Sequence, residues 1–110
     1  MTSQSDAQPL ALVVRFTLRS GANDDFDALV ARTVDQIRAH EPGTLVYAVH
    51  ASEPDLRLFY ELYESNDAFE AHERQPHVQH FLAEREQYLD RTEVDFLSLV
   101  TSAGLPAVIE

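Results

Sequence analysis

Cysteine, tryptophan and lysine are all missing from this chain of 110 residues, and glycine occurs only three times. Without cysteine there is no disulfide, no thiolate nucleophile and no cysteine-ligated metal site. Without lysine, the eight basic side chains are all arginines, set against nineteen carboxylates for a formal net charge of −11. So acidic a chain repels phosphate backbones and anionic lipid headgroups, which argues against nucleic acid and membrane surfaces as partners. The acid is spread along the chain rather than gathered into a tail, and most of it reads as solvated surface. Gly21, Gly43 and Gly104 stand singly at turns, so there is no glycine-rich phosphate loop. There is no serine elbow either, and no carboxylate pair at a useful spacing. No apolar run approaches the roughly 18 residues that cross a bilayer. MTSQSDAQP has no basic region followed by an apolar stretch, so a signal peptide is not expected and the cytoplasm is the expected compartment.

What remains is a chain with 45% hydrophobic and 25% charged residues, the balance of one globular domain. Its size permits a real core but leaves it marginal enough for self-association to help. Residues 1–9 read as a short disordered leader, 10–101 as the folded domain and 102–110 as an apolar tail. Leu10, Leu12, Val14, Phe16 and Leu18 alternate along a first strand, with Ala11, Val13, Arg15 and Thr17 on the other face. RSGAND is a helix-start signal with Ser20 or Asn23 available as a cap, followed by acidic Asp24, Asp25 and Asp27. Phe26, Leu29, Val30, Thr33, Val34 and Ile37 recur at helical spacing, and Glu41-Pro42-Gly43 stops the helix.

Thr44–His50 predicts a second strand and Arg57–Glu64 a third, near enough in sequence to pair as a hairpin. Ser65-Asn66-Asp67 starts a second helix that Pro76 interrupts. Its continuation carries Val78, Phe81, Leu82, Arg85 and Leu89 at helical spacing, and a fourth strand is expected from about Glu93 to Thr101. The order β-α-β-β-α-β is that of a ferredoxin-like α+β domain, a four-stranded antiparallel sheet with its helices on one face. Yet both faces of every strand carry apolar side chains. The face without helices would leave a large apolar patch in water, so a homodimer packed sheet to sheet is expected.

Few residues here could carry chemistry. His72 follows Phe69 by three positions and so shares the apolar, sheet-facing side of the second helix. There it faces strands carrying Tyr47, Tyr60, Glu61 and Tyr63, with Phe81 near by. Two readings are open: a base or donor that works near neutral pH, or a half-buried imidazole bonded to a tyrosine or a backbone carbonyl. Glu61, in mid-strand among apolar neighbours, must be paired, solvated or raised in pKa. It could orient His72 or a substrate hydroxyl, or form an ion pair with Arg15 or another arginine. His77 and His80 flank Pro76, but with His72 they lack the i, i+4 spacing that aims two imidazoles at one metal ion.

EPGTLVYAVH (Glu41–His50), FYELYES (Phe59–Ser65) and DAFEAHERQPHVQHF (Asp67–Phe81) resemble the antibiotic biosynthesis monooxygenase (ABM) domain, including its quinol monooxygenases. The resemblance spans residues 10–101. It implies a dimeric α+β barrel that oxygenates a quinol or phenolic aromatic with O2 and without metal, flavin or haem. It further implies His72 as base or orienting donor with Glu61 supporting it, and Tyr47, Tyr60, Tyr63, Phe69, His77 and Phe81 as substrate-binding residues. Relatives that degrade haem resemble a scheme needing a strand asparagine, a tryptophan and a histidine. This chain has no tryptophan, and its two asparagines, Asn23 and Asn66, stand at helix starts, so haem degradation is not expected. A non-catalytic binding protein for an aromatic metabolite and an isomerase- or cyclase-like enzyme are the alternatives on the same barrel.

Overall fold

Leu12, Val14, Phe16 and Leu18 alternate with Val13, Arg15 and Thr17, and an extended strand puts each set on its own face. In the computed structural model, which describes residues 8–105, this segment is strand β1, Leu10–Leu18. Helix α1 (Asn23–His40) follows, then strands β2 (Thr44–Glu53) and β3 (Leu56–Tyr63), helices α2 (Asn66–Arg74) and α3 (Pro76–Glu84), a 3₁₀ turn over Arg85–Tyr88, and strand β4 (Leu89–Ser98). The sheet order is β2-β3-β1-β4 and every pairing is antiparallel. This is the ferredoxin-like α+β arrangement. Residues 1–7 of the expected leader and 106–110 of the expected tail lie outside the described residues. No helix among the described residues is long and apolar enough to cross a membrane.

Register decides which side chains meet. Leu12 pairs with Glu61, Val14 with Phe59 and Phe16 with Arg57 across β1 and β3, while Tyr47 pairs with Glu61 and Val49 with Phe59 across β2 and β3. These residues share the face that the helices cover. The core there is aromatic: Phe16 meets Phe59 edge-on at 4.9 Å, and Phe26 from α1 reaches Phe16 at 5.7 Å and Phe81 from α3 at 6.1 Å. On the opposite face, Val13, Val46, Ala48, Leu58 and Tyr60 are half-buried. Toward β4 that face turns polar, where Arg15 lies 4.0 Å from Glu93. Arg15 and Glu61 therefore stand on opposite faces of the sheet, which removes the expected ion pair between them.

Three further expectations need correction. Neither Ser20 nor Asn23 caps α1. Its N-cap is Ala22, with no side-chain cap, and the Asn23 amide instead donates to the carbonyl of Pro54. The ordinary cap appears on α2, where Ser65 Oγ accepts from the Ala68 amide at 3.1 Å. Pro76 does not merely interrupt one helix but occupies the first turn of another, after Gln75 adopts an extended conformation. This suits proline, which lacks the amide hydrogen and disfavours α conformation in the residue before it. Finally, β4 begins at Leu89 and ends at Ser98, not at Glu93 and Thr101. Leu89 ends the helical stripe in sequence, but the α-helix ends at Glu84, the 3₁₀ turn ends at Tyr88, and Leu89 pairs with Leu18 across a bulge in the β1 register.

Candidate active site

Phe69 of α2 meets Phe96 of β4 edge-on at 5.9 Å, yet Val94 and Phe96 on β4 remain 46% and 60% exposed. Between helices and sheet is a cavity of about 250 Å³. Its walls include Leu12, Val14, Phe16 and Phe59 from the sheet, Phe69, Val78, Phe81 and Leu82 from the helices, and Val94 and Phe96 on the β4 side. Its polar groups come from Tyr47, Glu61, His72, Glu73 and Arg85.

His72 is 5% exposed. Its ring lies 5.1 Å from that of Tyr63, 5.7 Å from Tyr47 and 6.4 Å from Phe69, so aromatic faces hold it on three sides. Among the described residues the ring is not bonded to a tyrosine or to a carbonyl. Its Nδ1 lies 2.6 Å from Glu41 Oε1. The other oxygen of Glu41 lies 2.5 Å from His77 Nε2, and Thr44 Oγ1 donates to Oε1 at 2.7 Å. These bonds hold the Glu41 carboxyl below its ordinary range, against burial that pushes the other way. A carboxylate only accepts, so the hydrogen of each shared bond sits on the imidazole. Neutral His72 is then fixed as the Nδ1–H tautomer, with its Nε2 lone pair free. No hydrogen-bond partner of Nε2 is present among the described residues.

Glu61 stands on the same cavity from the sheet side. Tyr63 donates its hydroxyl to Glu61 Oε1 at 2.5 Å. Burial raises the Glu61 carboxyl, and the Tyr63 bond and the nearby His72 and Arg85 only partly oppose it. Tyr47 is raised well above the ordinary phenol range, first by burial and then by Glu61, so it is a neutral wall residue and donor. Tyr63 is raised in the same way.

Of the residues singled out in the sequence, His72, Glu61, Tyr47, Phe69 and Phe81 meet at this cavity. Tyr63 and His77 do not line it. Tyr63 is fully buried behind Glu61 and His72, and His77 stands behind Glu41. Tyr60 is on the other face, opposite Val13 and Ala48, because alternation separates it from Glu61. Two residues escaped the sequence reading. Glu41 read only as part of a helix stop, although a carboxylate at the negative end of a helix dipole is an anomaly that asks for an explanation. Arg85 read as one member of an apolar stripe, where a charge is equally out of place. Among the described residues no group of three His, Asp or Glu side chains is arranged to hold a metal ion.

A ferredoxin-like domain with a mostly apolar cavity, a carboxylate-held imidazole and a second carboxyl whose pKa burial raises defines a class of small-molecule site in which proton transfer is the available chemistry. The family model for antibiotic biosynthesis monooxygenase (ABM) matches residues 9–84, and the chain belongs to that family. Rv0793 from Mycobacterium tuberculosis is 26% identical with a TM-score of 0.80, covering 87% of this chain and 99% of its own. PA3566 from Pseudomonas aeruginosa is 23% identical with a TM-score of 0.77, covering 87% and 98%. A candidate antibiotic biosynthesis monooxygenase from Caulobacter crescentus, 20% identical with a TM-score of 0.80, covers 90% and 97% and shares the fold. No curated protein matches the chain.

Proposed function

We propose that this chain is a monooxygenase that needs no bound cofactor and uses O2 to oxidise a small quinol or phenolic aromatic, acting as a homodimer. The observation that carries this reading is the imidazole of His72, tied at Nδ1 to Glu41 and set in the wall of an apolar cavity opposite Glu61. A phenol placed there loses its proton to His72 Nε2, and Glu41 stabilises the imidazolium that results. The phenolate reduces oxygen itself. One electron passes from ring to O2, and the two radicals join at a ring carbon as a peroxide. The peroxide recovers the proton from His72. Its ring carbon then gives up its hydrogen to His72 as a proton while the O–O bond breaks, which leaves a carbonyl and releases the outer oxygen as hydroxide that is protonated to water. Glu61, its carboxyl raised by burial, returns the proton that the departing oxygen needs. Apolar walls keep other proton donors away from the peroxide.

The homodimer is supported by the half-buried apolar face formed by Val13, Val46, Ala48, Leu58 and Tyr60, which a second sheet would cover. Sedimentation at micromolar concentration is expected to give twice the chain mass, and a monomer would contradict this part of the reading. For the chemistry, an oxygen electrode with 1,4-dihydroxynaphthalene as substrate is expected to show enzyme-dependent uptake above autoxidation. Saturable binding without uptake would make the protein a binder, and conversion of a substrate under nitrogen would make it an isomerase or cyclase.

A further inference from the structure

Arg85 is a cation built into the wall of this cavity, and no carboxylate among the described residues is hydrogen-bonded to it. Its guanidinium carbon lies 5.2 Å from the ring centroid of Phe16 and 5.6 Å from that of Phe81. Two aromatic faces thus fix the plane of the group. Its Nε is enclosed and has no hydrogen-bond partner among the described residues. Among the described residues the one carboxylate within 4.0 Å is Glu86, at 3.7 Å, beyond hydrogen-bond reach and on a side chain that is 71% exposed. An exposed carboxylate at that distance is largely screened by solvent. Glu61 lines the same cavity but makes no ion pair with Arg85; its Oε1 is occupied by the Tyr63 hydroxyl. An enclosed N–H without an acceptor is costly, and the rest of the guanidinium, on a side chain that is 22% exposed, lines the cavity where a bound acceptor can meet it.

We propose that Arg85 is an anion subsite and that the aromatic substrate is an acid, whose carboxylate sits on the guanidinium while its ring fills the apolar walls toward His72. This rests on reading the cavity as the site of a small aromatic molecule, and it adds the class of that molecule. The planar fork of arginine matches a carboxylate through paired, charge-assisted bonds. A single arginine facing Glu61 and Glu73 suits a monoanion, and a phosphate dianion would find too few donors there. Arg85 is thus a specificity residue, distinct from the proton-transfer pair of His72 and Glu61.

The test is direct titration of the full chain at neutral pH with two probes of nearly the same ring, 1-hydroxy-2-naphthoate and 1-naphthol. The acid is expected to bind at least about tenfold more tightly than the neutral phenol. In Arg85→Gln the affinity for the acid should fall by roughly 10–100-fold, as charge-assisted hydrogen bonds imply. Affinity for 1-naphthol should change by less than about threefold, and Arg85→Lys should keep part of the preference. Thermal unfolding of each variant shows whether it folds, and the comparison of the two probes on the unaltered chain stands without any variant. Equal affinities there would overturn the anion subsite and leave the cavity reading intact. A preference that survives Arg85→Gln would overturn the assignment to Arg85, and failure of both probes to bind would overturn both readings.

Discussion

Replacing Glu41 by alanine removes the carboxylate that three side chains converge on. In the folded protein this side chain is 4% exposed and accepts from His72, His77 and Thr44. A net hydrogen bond to a charged group is worth about 1.5–3 kcal/mol, and the carboxylate must first be taken out of water. Part of the sum is therefore returned as desolvation, and the loss on removal should be about 3 kcal/mol, with two imidazoles and a hydroxyl left facing a void. In a domain of this size that corresponds to a fall in Tm on the order of 10–20 °C. The pH dependence has a definite sign. The folded-state pKa of Glu41 lies below its ordinary 4.5, so its contribution is present above that value and is lost as pH falls through the folded one. Urea unfolding of the two proteins at pH 7 and near pH 3 should show a gap that narrows on acidification. A gap under about 0.5 kcal/mol at pH 7, against that expected loss, or one that widens on acidification, would refute the reasoning.

Glu61 should behave in the opposite sense. Its folded pKa is raised by burial, so the folded state resists its ionisation and loses stability as pH rises through the folded value. Glu61→Gln should therefore equal the parent near pH 4 and match or exceed it at pH 8 in urea unfolding; a variant weaker at pH 8 than at pH 4, relative to the parent, would contradict this. At Gly43 a methyl group would stand 2.8 Å from Ala68 Cβ, pushing α2 from the turn that carries Glu41. Gly43→Ala should cost about 1–3 kcal/mol, the ordinary range for overpacking. The double change with Ala68→Gly should recover most of that, and no recovery would place the strain elsewhere.

The strand faces were legible because alternation is a local property. Leu12, Val14 and Phe16 fall on one side of β1 whatever the chain does later, and the same rule puts Phe59, Glu61 and Tyr63 together on β3. It also sets Tyr60 apart from them, so grouping Tyr60 with His72 went against the period the sequence itself displays. The second helix showed that His72 faces the sheet, since three residues separate it from Phe69. Its partner was hidden because Glu41 lies 31 residues away and its turn, Glu-Pro-Gly, has a sufficient local explanation as a helix stop. Arg85 was hidden for a related reason. Helical spacing assigns it to the stripe with Phe81, but only the fold shows Phe16 arriving on its other side. The boundary of β4 was lost to the short 3₁₀ turn, whose spacing imitates a continued helix for four residues.

The central claim is that His72 takes a proton from a phenolic substrate so that oxygen can react with it. Steady-state oxygen uptake with 1,4-dihydroxynaphthalene, corrected for autoxidation, tests this most directly in the parent chain and in His72→Gln. The variant must first be shown to be folded by thermal unfolding. A positioned general base contributes on the order of 10²–10⁴-fold, so the variant should lose at least about 10²-fold in kcat. Unchanged turnover in folded His72→Gln would contradict the account.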